Sequence, residues 1–393
     1  MRTLFALALC LAAATPALAY NGDEHRDIGE RAFIDAFNVV NHGSGPALPG
    51  LPWKHTPGGR WVTCESENKH IGGCDQLGTG NRVLIWVGNR TDGDPGDWAT
   101  FGELVERYGD HRDTIDAMLA TPPSELKVIK HAADTTGNTY NNPKEQANYL
   151  GLAAKNITHF GTSAVYTYYL YHQTAIGYAY LAAENNDPNK MWEALHYEAR
   201  AVHSLTDLFA PGHLFVDRTG VQNVIAGERG LTDGKTAVAR LSALNTWLKG
   251  SAQGVYDKYG PKKHDEFNAS GANVKNLALG DAYWWTYGDG KYYSMNSTGK
   301  DGPYSAAVKS VVDLLSAYKF MLLAKQGKAG GKTARAMWQE RLTSAQTYDA
   351  LREVPVAYEL NAQTKGVFSG LPCKDNFCDL PTKAVILKLL AAH

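Results

Sequence analysis

From Asn148 to Ala183 the chain carries no proline and is dominated by Ala, Tyr and Leu. Length without a breaker favours helix, so the stretch reads as one long buried helix or two. Residues 190–209 predict another, with Met191, Ala194, Leu195, Val202, Leu205 and Leu208 turned to a core. Pro211 and Gly212 then stop it. An amphipathic helix is expected over residues 20–40, where Ile28, Ala32, Phe33, Ala36 and Phe37 recur at helical spacing. Further helices are expected at 235–248, 303–326 and 332–350. Strand signals are sparse. Residues 42–82, rich in Gly, Pro and Asn, and residues 364–382 read as loops, and 280–302 as loops or a small hairpin. The fold class that follows is mainly α: a multi-helix bundle with a C-terminal helical or mixed extension.

The N-terminus pairs a basic start, Met1-Arg2, with an apolar run from Leu4 to Ala14 and an Ala17-Leu18-Ala19 cleavage signal. That is the pattern of a secretory signal peptide over residues 1–19, and it predicts a mature chain beginning at Tyr20, secreted or periplasmic. No later apolar run approaches the roughly 18 residues of a transmembrane helix. Of the five cysteines, Cys10 would leave with the signal. Cys64 with Cys74 and Cys373 with Cys378 then suggest two disulfides in an oxidising compartment. A four-cysteine zinc site is the rival, but neither pair has C-x-x-C spacing. With 39 basic and 40 acidic residues, the chain lacks the basic excess that duplex nucleic acid usually demands.

Residues 203–213 read HSLTDLFAPGH. On a helix, His203 and Asp207 share one face, and a turn at Pro211-Gly212 brings His213 back towards them. Two imidazoles and a carboxylate at such spacing are costly to bury without a partner, and they match what zinc prefers. His25 in NGDEHRDIGE, His159 in NITHF, Asp92 in GNRTDGD and His264 in KKHDEF are further candidates. His111, His131, His172 and His196 read as ordinary core histidines. The sequons at Asn89 and Asn156 could accept sugar in a eukaryotic host.

Together these residues resemble the zinc-dependent phospholipase C and single-strand nuclease superfamily, closest to bacterial secreted phospholipase C. His203, Asp207 and His213 match its H-x3-D-x5-H core motif, and His159-Phe160 its His-Phe pair. The resemblance implies an all-helical enzyme holding two to three zinc ions and cleaving phosphodiester bonds. Metal ligands would be Tyr20, through its free amino group and carbonyl, with His25, Asp92, His159, His203, Asp207, His213 and His264. Asp207 would bridge two ions, and Asp92, with Asp94 as its alternative, would orient or deprotonate the attacking water. The family's last motif, H-x3-E or H-x3-D, is broken here: Asn268 stands at that spacing from His264, with Asp265 as the possible substitute. The resemblance implies a catalytic domain over 20–275 and leaves 276–393 as an extension.

A phospholipid at a membrane surface is the expected substrate. Near-neutral charge and the aromatic segment YWWTYGDGKYY at 283–293 favour it, since Trp and Tyr sit well among lipid headgroups. A single-strand nuclease on the same zinc core, and a non-catalytic secreted zinc-binding protein, are the alternatives.

Overall fold

The computed structural model describes residues 22–42, 59–63, 81–86, 98–120, 157–216, 218, 261–288, 290–325, 336, 348–360 and 377–392. It is mainly α. Helix α1 (Gly22–His42) opens with Asp23 and Glu24, whose charges suit a helix N-terminus, and buries Ile28, Ala32, Phe33 and Ala36. Strands β1 (Gly59–Thr63), β2 (Asn81–Trp86) and β3 (Trp98–Thr100) form an antiparallel sheet in that order. The first lies within the segment 42–82 expected to be loop, and the second begins at its end. Their GRWVT and NRVLIW sequences carry the β-branched and aromatic residues that suit a strand, and overall Gly and Pro content obscures them.

Helix α2 (Phe101–Asp110) follows directly, fixed by a capping box in which Thr100 and Glu103 satisfy each other's backbone amides. Short α3 (Ile115–Leu119) is capped by Thr114. A 3-10 turn (Ile157–His159) leads into α4 (Gly161–Asn185), and left-handed Asn186 turns the chain into α5 (Pro188–Asp207). The helix ends at Asp207, earlier than expected. Pro211 does not stop it but opens a new helix, α6 (Pro211–Phe215), at the first-turn position where a missing N–H is harmless.

After α7 (Pro261–Ser270) come β4 (Ala272–Lys275) and β5 (Trp284–Thr286), a 3-10 turn (Tyr292–Ser294) and the long α8 (Ser297–Lys325). A 3-10 turn (Asp349–Arg352), β6 (Ala357–Glu359), β7 (Phe377–Asp379) and α9 (Thr382–Ala391) complete the described chain. The second sheet runs β5-β4-β6-β7, antiparallel throughout.

Two features bear on the expectations. The boundary at residue 275 falls at the end of β4, yet β4 hydrogen-bonds to β5 and β6 from beyond it. Helix α8 packs on α1, α4 and α5 and buries Ala306, Ala307, Val311, Leu314 and Leu315 in the same core. Described residues after 276 therefore share that core. The aromatic segment is only partly exposed: Trp284 is 4% and Tyr292 5% exposed, Tyr283, Trp285 and Tyr287 are half-buried, and Tyr293 is half exposed. Period-2 alternation in β5 puts Trp284 and Thr286 on the buried face.

Helices 190–209 and 303–326 are thus present with shifted ends, whereas 235–248 and all of 332–350 but 336 and 348–350 lie outside the described residues, residues 349–350 belonging to the 3-10 turn. So do Cys64, Cys74 and Cys373; Cys378 is disulfide-bonded. Among the described residues no helix is long and apolar enough to cross a membrane.

Candidate metal centre

Asp207 is the last residue of α5, where the helix dipole disfavours a carboxylate, and it is completely buried. Something must offset that placement. Four imidazoles surround it. Oδ1 lies 3.3 Å from His25 Nε2 and 3.7 Å from His213 Nδ1. Oδ2 lies 2.7 Å from His159 Nδ1 and 3.6 Å from His203 Nε2. The carboxylate accepts no hydrogen bond of good geometry from an amide or hydroxyl among the described residues. Two sets of ligand atoms, His25-His203-Asp207 and His159-Asp207-His213, each fall within 4.8 Å of one another, and Asp207 belongs to both. All five side chains are buried.

Four separate segments deliver these five groups. α1 supplies His25, the 3-10 turn His159, α5 His203 and Asp207, and α6 His213. His203 and Asp207 meet because they are one helical turn apart. His25 stacks on His203 with ring centres 4.1 Å apart, and Phe160 stacks on His213 at 4.2 Å.

Hydrogen bonds to Nδ1 of three rings decide which nitrogen keeps its lone pair. His203 Nδ1 donates to the Val105 carbonyl at 2.8 Å, and His213 Nδ1 to the His159 carbonyl at 2.8 Å. Carbonyls only accept, so the proton sits on Nδ1 and Nε2 is left as a donor of electrons. Thr206 Oγ1 donates to the carbonyls of Val202 and His203, and therefore accepts from His25 Nδ1 at 2.9 Å. His25 Nε2, facing Asp207, is likewise a lone pair. Metal-bound histidines are oriented by this kind of outer contact. The Nε2 atoms of His159 and His213 have no hydrogen-bond partner among the described residues. Leaving such atoms buried costs about 1–3 kcal/mol each.

Electrostatics point the same way. Burial, reinforced by neighbouring imidazoles, holds His203 well below the ordinary histidine range. Burial likewise lowers His213, the Asp207 charge opposing it. Burial works against the Asp207 charge too, but the positive charge that His159, His203 and His213 carry when protonated outweighs it and draws the carboxyl well below the usual range. Buried histidines held below their usual range, as His203 and His213 are, beside a carboxylate suit a divalent cation, which takes deprotonated ligands. These buried His/Asp clusters could hold metal ions, and the donors present fit zinc, which takes imidazole and carboxylate.

His264 joins neither set. It is buried beside His213, with ring centres 4.9 Å apart, but its nitrogens are engaged. Nδ1 lies 3.0 Å from Asp265 Oδ1 and Nε2 3.2 Å from Asn268 Nδ2. Asn268 cannot reverse its amide without loss, because its Oδ1 accepts the Gly212 amide at 2.7 Å. Asn268 thus braces the start of α6, and its amide nitrogen faces the His264 lone pair. Asp265, its carboxyl raised by burial to about 6, is the ring's other partner. Tyr20, Asp92 and Asp94 lie outside the described residues, as does His131. His111, His172 and His196 are buried, as expected of core histidines.

Sequence reasoning missed the backbone that closes over the site. α2 kinks at Tyr108–Gly109, and Gly109 takes φ 91°. A Cβ there would lie 2.4 Å from His203 Nε2 and 2.6 Å from His159 Cε1, so only glycine lets the chain come this close. The signal available was the glycine itself, in VERYGDHRD, within an otherwise helical pattern. Thr206, the Val105 carbonyl and Phe160 as a stacking partner carry no local signal of their roles.

Among known proteins, no family model, no curated protein and no solved structure matches the chain.

Proposed function

We propose that the chain is an exported zinc-dependent phosphodiester hydrolase, acting as a phospholipase C on phosphatidylcholine-type lipids. The observation that carries this reading is the Asp207 carboxylate shared between two histidine sets. Bound zinc would supply Lewis acidity for activating water and for stabilising charge on the phosphate. The chain's own part is preparation. Thr206 and the Val105 and His159 carbonyls hold three imidazoles in the tautomer that presents Nε2. Asp207 stays ionised, and burial keeps competing water off the ligands. Hydrolysis adds water across the phosphodiester: a new P–O bond forms, the bond to the glycerol oxygen breaks, and that oxygen takes the proton. Diacylglycerol and a phosphorylated head group result. Asp92 is proposed to position that water, and Tyr20 to add its amino group after signal removal.

A second reading, a single-strand nuclease on the same centre, is favoured by one observation: Trp284 and Tyr292 face the core rather than a lipid surface. Parallel assay of the chain starting at Tyr20 on phosphatidylcholine vesicles and single-stranded DNA, with and without chelator, separates the two. Chelator-sensitive release of phosphocholine is expected. Turnover of DNA alone would favour the nuclease, and turnover of neither would remove the catalytic reading.

A further inference from the structure

Arg200 lies on α5 one turn before His203 and is fully buried. A buried guanidinium is costly unless its donors are used. Here they reach three segments. Nε donates to the Asp113 carbonyl and Nη2 to Asp113 Oδ1, both at 3.1 Å. Nη2 also donates to Thr158 Oγ1 at 3.1 Å, and Nη1 to Ser204 Oγ. Ser204 Oγ in turn leans on the Thr158 carbonyl at 3.5 Å.

The acceptors are not scattered through the core. Thr158 is the residue before His159. Asp113 follows the kink whose Gly109 closes over His203 and His159. Ser204 follows His203. His159 is distant in sequence from α5, so its distance from Asp207 must be set by tertiary contacts of this kind. We propose that Arg200 is a positioning residue of the metal centre: its guanidinium fixes the spacing between the His159 turn, the Gly109 kink and the His203–Asp207 face of α5. Lysine cannot reproduce this, because one ammonium lacks the planar fork that meets separate acceptors at once.

The inference rests on the metal reading of the centre, so zinc affinity of the wild-type chain starting at Tyr20 is measured first, by chelator competition. Arg200→Met, Arg200→Lys and Thr158→Val follow, with thermal unfolding of each metal-free chain and visible absorption of the cobalt-loaded form. Arg200→Met is expected to bind zinc about 10- to 100-fold more weakly, the usual cost of losing an outer contact, with an altered cobalt spectrum. Arg200→Lys should recover part of the affinity. Thr158→Val should weaken chiefly one of two bound ions, the one served by His159. Wild-type affinity and spectrum in folded Arg200→Met and Thr158→Val overturn the role of Arg200. If Arg200→Met does not fold, Thr158→Val decides alone by the same criterion. If the wild-type chain binds no metal, the centre itself has been misread, and the role of Arg200 falls with it.

Discussion

Helix α5 carries two buried histidine–carboxylate clusters, and they are built to opposite ends. Near its middle, Glu198 meets His172 of α4, whose Nδ1 lies 2.8 Å from Glu198 Oε2 and whose Nε2 lies 3.2 Å from Asp313 Oδ2 of α8. Ser310 donates to the other Glu198 oxygen, and Tyr168 contacts Ser310 at 3.1 Å. Both nitrogens of that ring point at different carboxylates on opposite sides. Nothing converges. At the C-terminal end of the same helix, Nδ1 of His25, His203 and His213 is held by a hydroxyl and two carbonyls; the Nε2 lone pairs of His25 and His203 face one carboxylate, and that of His213 has no hydrogen-bond partner among the described residues. Residue type and burial are the same in both clusters. What differs is where the lone pairs are aimed, and that separates a staple between helices from a centre able to hold metal.

The strongest way to break this contrast is Asp207→Asn. A neutral amide cannot bridge two cations, so zinc content should fall close to zero and activity by at least about 100-fold, a loss comparable to removing a key stabilising group. The chain should still fold, as judged by circular dichroism. Glu198→Gln, made alongside, should keep its zinc.

His172→Leu should do the reverse. Breaking a buried ion cluster while leaving its other members typically costs about 3–5 kcal/mol, read by denaturant unfolding, with zinc stoichiometry unchanged in whatever fraction remains folded. Loss of zinc without loss of stability would mean that the two clusters have been assigned the wrong way round.

Glu106 supplies a third case: a carboxylate buried without imidazoles. Its Oε1 has no hydrogen-bond partner among the described residues, and Arg26 lies 3.5 Å from Oε2. Burial pushes its carboxyl from 4.5 up to about 7 despite Arg26. Between those values the folded chain holds a proton that the unfolded chain has released. Its contribution to stability is therefore complete below about pH 4.5 and lost as pH rises through about 7, by about 3 kcal/mol at most. Glu106→Gln should flatten that slope in urea titrations between pH 5 and 8, with zinc content unaltered.

The contrast was only half legible in the sequence. His203 and Asp207 could be paired because helical spacing alone brings i and i+4 together. His25 and His159 could be named as candidates, but nothing local joins residues so far apart, and only the family resemblance grouped them with Asp207. His172 could be set aside as a core histidine, but not shown to sit between two carboxylates. Thr206, the Val105 carbonyl and Gly109 act through tertiary placement, which no local pattern encodes. Asn268 marked a departure from the expected motif, and its bond to Gly212 supplies a structural reason for an amide there. The inward turn of Trp284 was hidden because a segment rich in aromatics and glycine reads equally as surface or as short strand.

The smallest expected effect sharpens the role of the outer contacts. Thr206→Val removes the acceptor that fixes the His25 tautomer, and should weaken zinc binding about 10-fold while leaving the fold intact. Chelator competition on the purified variant reads it directly. An unchanged affinity would show that His25 needs no such orientation.

Anomalous diffraction at the zinc edge, from crystals of the chain beginning at Tyr20, tests the sharing of Asp207 most directly. Two peaks are expected beside the Asp207 carboxylate: one within bonding distance of His25 and His203, the other of His159 and His213. No peak at Asp207, or a single ion that leaves one of those histidine pairs uncoordinated, would contradict it.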